Sequence, residues 1–145
     1  MGVFDVDASK LIEAVAKDLQ EKFKLEKPAF ADYVKTGPHK ERAPDRDDWY
    51  YVRVASILYR VYKEGPLGTG ALRSYYGGRK NRGVEPEKKV KAGGKIIRKA
   101  LQDLEKLGLI EKGKTGRVIS PKGQSYLDKK AKELELTEKA SVKAQ

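Results

Sequence analysis

The stretch WYYVRVASILYRVYKE, residues 49–64, leaves this chain few ways to fold. Apolar and aromatic residues occupy nearly every side of its 3.6-residue repeat. The exceptions, Arg53, Ser56, Arg60, Lys63 and Glu64, fall on one narrow stripe. A helix with so little polar surface is stable only when other elements bury most of it. We therefore expect it at the centre of the fold, capped by Asp47 or Asp48, with Arg53 and Arg60 on its outward stripe. Trp49 opens it as a core anchor.

The flanking segments can supply the cover. Asp7 is an N-cap for a helix reaching about Lys24, with Leu11, Ile12, Val15, Ala16, Leu19 and Phe23 on one face. Pro28 breaks that pattern, a short helical turn over Ala29–Val34 follows, and residues 35–48 read as a charged loop. After Gly65-Pro66, residues 67–76 read as a short helix with Thr69 as its cap. In KIIRKALQDLEKL, residues 95–107, Ile96, Ile97, Ala100, Leu101, Leu104 and Leu107 face inward while Lys95, Arg98 and Lys99 face out, and Gly108 takes the C′ position. Residues 109–120 read as a hairpin around Gly-Lys-Thr-Gly, and Ser120-Pro121 starts a last helix that buries Tyr126, Leu127, Ala131 and Leu134. The expected class is mainly α: a winged-helix-like helical domain with a small two-stranded β-hairpin. Residues 1–136 form a single RNA-binding domain in this reading. Residues 137–145, without periodicity, form a flexible C-terminal tail.

Charge narrows the partner. Among 145 residues, 32 Lys+Arg face 21 Asp+Glu, a net charge of +11, which suits a polyanion. The chain has no cysteine, hence no disulfide framework and no thiolate ligand or nucleophile, in keeping with a reducing, cytoplasmic setting. No apolar run approaches the roughly 18 residues of a membrane span. We expect no signal peptide, because MGVFDVDASK lacks a basic start and an apolar core, and Val6 stands where a myristoylation motif wants Ser or Thr. Catalysis is unsupported, and no cofactor or metal is expected. His39 is the single histidine, capping accounts for Asp47 and Asp48, and Gly113-Lys114-Thr115 lacks the upstream glycine of a phosphate-binding loop.

The connection from Gly77 to Gly94, inside SYYGGRKNRGVEPEKKVKAGG, points to the kind of polyanion. A DNA-reading helix-turn-helix joins its helices by a turn of about 3–4 residues. This connection is far longer and stands beside the N-terminal end of the third helix. It suits RNA better. Arg79, Lys80 and Arg82 carry charge for phosphates, Lys88, Lys89 and Lys91 extend it, and Gly77-Gly78 lets the backbone approach closely. Tyr75 is placed to stack on unpaired bases, whereas we expect Tyr76 in the core. A loop this long and basic can stay disordered until RNA binds it, and on that view it is an arm laid along the phosphate backbone, but its composition leaves open whether it is ordered without RNA. The candidate RNA-binding residues are Lys35, Arg42, Arg53, Arg60, Tyr75, Gly77, Gly78, Arg79, Lys80, Arg82, Lys95, Arg98, Lys99 and, on the wing, Arg117. For Arg53 and Arg60, ion pairing with Asp47, Asp48 or Glu64 stands as an equal reading. A winged-helix DNA-binding transcriptional regulator is the alternative function. It calls for dimers, and no dimerisation segment is evident, so a monomer is expected.

Several segments, in order, carry a family resemblance: VKTGPHKERAPDRDDWYYVRVASILYRVY, YYGGRKNRG, KAGGKIIRKALQDLEKLGLIEK and GRVISPKGQSYLD. Together they resemble the small-subunit ribosomal protein nineteen family of archaea and eukaryotes, over roughly Asp5 to Leu134. The GGRKNRG form and the Lys/Glu content lean archaeal. The resemblance implies a winged-helix-like domain bound to ribosomal RNA in the head of the small subunit, beside neighbouring ribosomal proteins, with a role in maturation of that RNA. It also implies that Trp49, Arg53, Gly77-Gly78-Arg79 and Arg98-Lys99 are sensitive positions. The chain departs from the family pattern at Tyr59, commonly arginine, at Phe30, usually tryptophan, and at Lys88-Lys89-Val90, where an aromatic pair is frequent. That last change favours phosphate contact over stacking at this end of the loop.

Overall fold

Helix α2 (Trp49–Glu64) forms over the expected residues, and Tyr50, Val54, Ala55, Ile57, Leu58 and Val61 are completely buried. The computed structural model describes residues 6–28 and 48–143. The expected helical turn at 29–34 and the loop carrying Lys35 and Arg42 lie outside those residues. Around α2 the elements run α1 (Ala8–Glu21), α3 (Thr69–Tyr76), β1 (Gly78–Arg82), β2 (Glu85–Val90), α4 (Gly94–Lys106), β3 (Ile110–Lys112), β4 (Arg117–Ile119) and α5 (Pro121–Lys143). Both α1 and α4 pack on α2, α3 packs on α4, and α5 packs on α1. Leu11 and Leu19 of α1, Leu72 of α3, Ile97, Leu101 and Leu104 of α4, and Leu127 of α5 complete the core.

Local chemistry sets the helix ends. The Asp7 side chain accepts the Ser9 amide at 3.0 Å and starts α1, which ends at Glu21, short of the expected Lys24. Gly68, not Thr69, is the N-cap of α3. Gly108 follows α4 at φ 78°, a left-handed conformation that glycine adopts without a Cβ clash. Ser120 caps α5, its Oγ accepting the Gly123 amide at 3.1 Å. Side-chain bonds then tie distant helices together. Tyr126 donates to Asp18 at 2.7 Å, Tyr62 donates to Asp128 at 3.0 Å, and the buried Tyr50 donates to Asp103.

The order α2–α3–α4 followed by the β3–β4 hairpin is a helix-turn-helix with a wing. β3 and β4 run antiparallel in the register Ile110↔Ile119, Glu111↔Val118 and Lys112↔Arg117. Leu67 and Arg117 also exchange backbone bonds of 3.1 and 2.8 Å, so the chain between α2 and α3 adds a short rung to the wing. The molecule is mainly helical and winged-helix-like, as its sequence predicts.

Two expectations are corrected. The basic segment between α3 and α4 is not an irregular arm: β1 and β2 form an antiparallel hairpin with pairs Gly78↔Val90, Arg79↔Lys89 and Lys80↔Lys88, and an irregularity before Arg82↔Glu85. Gly83 turns the tip at φ 75°. The second correction concerns the C-terminal segment. Helix α5 continues through residues 137–143, where no periodic structure was expected. Thr137 Oγ1 donates to the Glu133 carbonyl at 2.9 Å, Glu135 pairs with Lys139 at 3.2 Å, and Glu138 reaches Lys10 of α1 at 3.1 Å. These are polar contacts along the helix and to its neighbour, which hydrophobic periodicity does not register.

Candidate nucleic-acid interface

The outward stripe of α2 meets the last turn of α3, where cations and aromatic rings alternate. The Arg53 guanidinium lies 4.1 Å from the centre of the Tyr76 ring, and that of Arg60 lies 3.7 Å from the centre of Tyr75. The two rings meet edge to face with centroids 4.8 Å apart. The Tyr76 hydroxyl is 2.6 Å from Ser56 Oγ, which fixes the ring under Arg53. Burial holds the Arg53 guanidinium below its ordinary pKa, while the nearby Tyr76 works the other way. Burial likewise pushes the Tyr76 hydroxyl up, against the Ser56 bond and the Arg53 charge.

Among the described residues, Arg53 and Arg60 differ in one respect. Arg60 pairs with Glu64 at 2.6 Å, whereas Arg53 pairs with no carboxylate. The ion-pairing reading is thus met, among the described residues, by Arg60 with Glu64. Tyr75 is 51% exposed and stands at the surface. Tyr76 and Trp49 both pack on the core, Trp49 being buried.

The basic hairpin begins two residues after Tyr76, and its root is clamped. The Ala92 amide donates to the Arg73 carbonyl at 2.9 Å, and Arg73 Nε donates in return to the Ala92 carbonyl at 2.9 Å. A Cβ on Gly77 would overlap the Val90 carbonyl oxygen, so the two legs can lie this close only with glycine there. Sequence reasoning did not single out Arg73, whose clamp joins residues 19 positions apart. Arg79 is exposed on β1 and Lys80 half-buried, while Lys88 and Lys89 are exposed on β2. Gly78 and Arg82 lie at the two ends of β1; the side chain of Arg82 is outside those described. Val84, at the tip, is fully exposed.

The remaining candidates separate. Lys95 and Arg98 share the exposed stripe of α4. Lys99 instead turns to the buried Asp103 at 3.2 Å. Arg117 is held by Glu105 at 2.7 Å and by its backbone pairing with Leu67, so its position is that of a wing fastener. Tyr59, the departure noted on α2, is half-buried against the core. Among the described residues no group of three or more His, Cys, Asp or Glu side chains could hold a metal ion. No helix among them is long and apolar enough to cross a membrane.

Fold and site together define a class: a winged-helix-like domain with an arginine–tyrosine face and a basic hairpin inserted before its third helix. Residues 2–137 match the family model described as Ribosomal protein S19e, and the chain belongs to that family. It is 50% identical over 138 residues to small ribosomal subunit protein eS19 of Aeropyrum pernix, covering 92% of this chain and 90% of that protein. It is 45% identical over 131 residues to small ribosomal subunit protein eS19A of Saccharomyces cerevisiae, covering 89% and 91%. Against small ribosomal subunit protein eS19G of Ascaris suum it is 44% identical over 134 residues, covering 91% and 90%. The archaeal lean of the sequence accords with the match at 50% identity.

Proposed function

We propose that this protein is a non-enzymatic structural constituent of the small ribosomal subunit, in the cytoplasm, and that it binds ribosomal RNA in the head region. Residues 1–136 act as one RNA-binding domain. Neighbouring small-subunit proteins are further partners, and the same contacts serve maturation of the RNA during assembly. The chemistry is neutralisation of phosphates by arginine and lysine, with Tyr75 offering a ring to an unpaired base.

The observation that carries this reading is the Arg53–Tyr76 stack at the root of the β1–β2 hairpin. It places an arginine that pairs with no carboxylate among the described residues beside a strand pair whose exposed side chains include Arg79, Lys88 and Lys89. Family membership supplies the polyanion, because the relatives are named small ribosomal subunit proteins. The hairpin occupies the connection that a DNA-reading helix-turn-helix keeps to about 3–4 residues, which favours RNA over duplex DNA.

The test is binding to an archaeal small-subunit head-domain RNA at about physiological salt, with duplex DNA and an unrelated structured RNA of equal length as competitors. The cognate RNA is expected to win. Replacing Arg79, Lys80 and Arg82 together by Gln should weaken binding and lower the salt slope by about 0.7–0.9 per lost phosphate contact. An unchanged slope would remove the hairpin from the interface, and preference for the duplex would overturn the reading.

A further inference from the structure

We propose that Arg60 is a phosphate-binding position occupied by Glu64 in the free protein, and that bound RNA exchanges the carboxylate for a phosphodiester oxygen. The inference rests on the RNA-binding reading above and adds a built-in competitor to it.

Arg53 and Arg60 are equivalent in placement, two helical turns apart on α2, each stacked on a tyrosine of α3. They differ in neutralisation, since among the described residues Arg60 holds a carboxylate and Arg53 does not. That carboxylate is in a poor place. Glu64 is the last residue of α2, where the helix dipole disfavours negative charge. The pair also runs Arg before Glu at i,i+4, the weaker of the two orders. The Glu64 side chain is 42% exposed, so water and salt screen the interaction. A pair of this kind is easily exchanged.

The guanidinium, by contrast, is well held. Its side chain is only 18% exposed, and Tyr75 covers it at 3.7 Å. Arg60 Nε is buried and has no hydrogen-bond partner. The group is thus oriented and incompletely satisfied, and its present anion is weakly held. A phosphodiester presents the same fork of two anionic oxygens as the carboxylate and brings its own negative charge to a face that already carries Arg53. Glu64 keeps Arg60 paired while RNA is absent, and its release on binding returns a charged group to water.

The exchange predicts a definite thermodynamic pattern. In the natural protein, the phosphate gained at Arg60 is offset by the carboxylate released, so Arg60 adds little to the affinity. Glu64→Gln removes the competitor. RNA binding should tighten about two- to fivefold. Glu111→Gln, on the exposed wing, measures the general effect of removing one negative charge. The gain from Glu64→Gln must exceed that control, and it must vanish when Arg60 is Gln. If Arg60→Gln fails to fold, Arg60→Met keeps the apolar stem and completes the same cycle.

The measurement is run on poly(U) and on the head-domain RNA, because the exchange needs only a phosphodiester. Tightening that depends on Arg60 supports the proposal on either RNA. Tightening equal to the Glu111 control, or persisting without Arg60, overturns it. Loss of preference for the head-domain RNA, with the cycle still closing on poly(U), would sink the ribosomal reading and leave the exchange intact.

Discussion

The hydroxyl of Tyr126 donates to the Asp18 carboxylate at 2.7 Å, joining α5 to α1 across 108 residues of sequence. Lys130, one turn further along α5, reaches the same carboxylate at 2.7 Å. Asp18 is among the few buried acids of the described residues, and these two groups, with Lys22 at 4.0 Å, are what make its burial tolerable.

Removing the hydroxyl should therefore cost stability without disturbing shape. Tyr126→Phe keeps the ring and its edge-on contact with Phe23, centroids 5.4 Å apart, but leaves Asp18 short of a donor. The expected loss is about 1.5–3 kcal/mol, typical of a hydrogen bond to a charged group. Urea denaturation checks this: the midpoint should fall with no change in slope.

The same carboxylate gives the fold an acid sensitivity. Burial works to raise the Asp18 pKa, but the bonds from Lys130 and Tyr126 and the charges of Lys130 and Lys22 outweigh it, leaving it below the ordinary 3.8. Between the folded value and 3.8 the unfolded chain binds the extra proton, so stability rises with pH in that window. The contribution is complete above about 3.8 and disappears as pH falls through the folded value. Asp18→Asn should lower stability at neutral pH and flatten the acid limb. Urea midpoints taken between about pH 2.5 and 5 would show it.

Gly77→Ala tests the root of the hairpin separately from the core. The added methyl meets the Val90 carbonyl, so the legs of the hairpin must part. Overpacking of this kind costs about 1–3 kcal/mol. Amide exchange in β1 and β2 should quicken while the amides of α2 stay protected, and RNA binding should weaken. Unchanged exchange in the hairpin would show that the clamp formed by Arg73 and Ala92 holds without the close approach.

How much of this was legible beforehand differs from element to element. Helix α2 was readable to the residue because its composition admits only a buried helix, bounded by Asp48 and Gly65-Pro66. α4, the wing and the start of α5 were readable from apolar periodicity, glycine at the turn, and Ser120-Pro121. The β1–β2 hairpin was not. Its residues, GRKNR and EPEKKV, show no apolar alternation, because neither face packs as a core layer. What makes them strands is their pairing with each other and the clamp of Arg73 on Ala92, both contacts between separated segments.

The site divides along the same line. By itself the sequence determined that Arg53 and Arg60 share the outer stripe of α2, that Tyr75 and Tyr76 end the next helix, and that a basic segment follows, since each of these is local periodicity or composition. Only the tertiary structure decided that the arginines stack on the tyrosines, that Arg60 pairs with Glu64, and that Lys99 and Arg117 turn to Asp103 and Glu105. The reason is physical. A helical repeat fixes which side of a helix a residue occupies, but its partner depends on how two helices pack, and that packing is set by the burial of side chains distant in the chain.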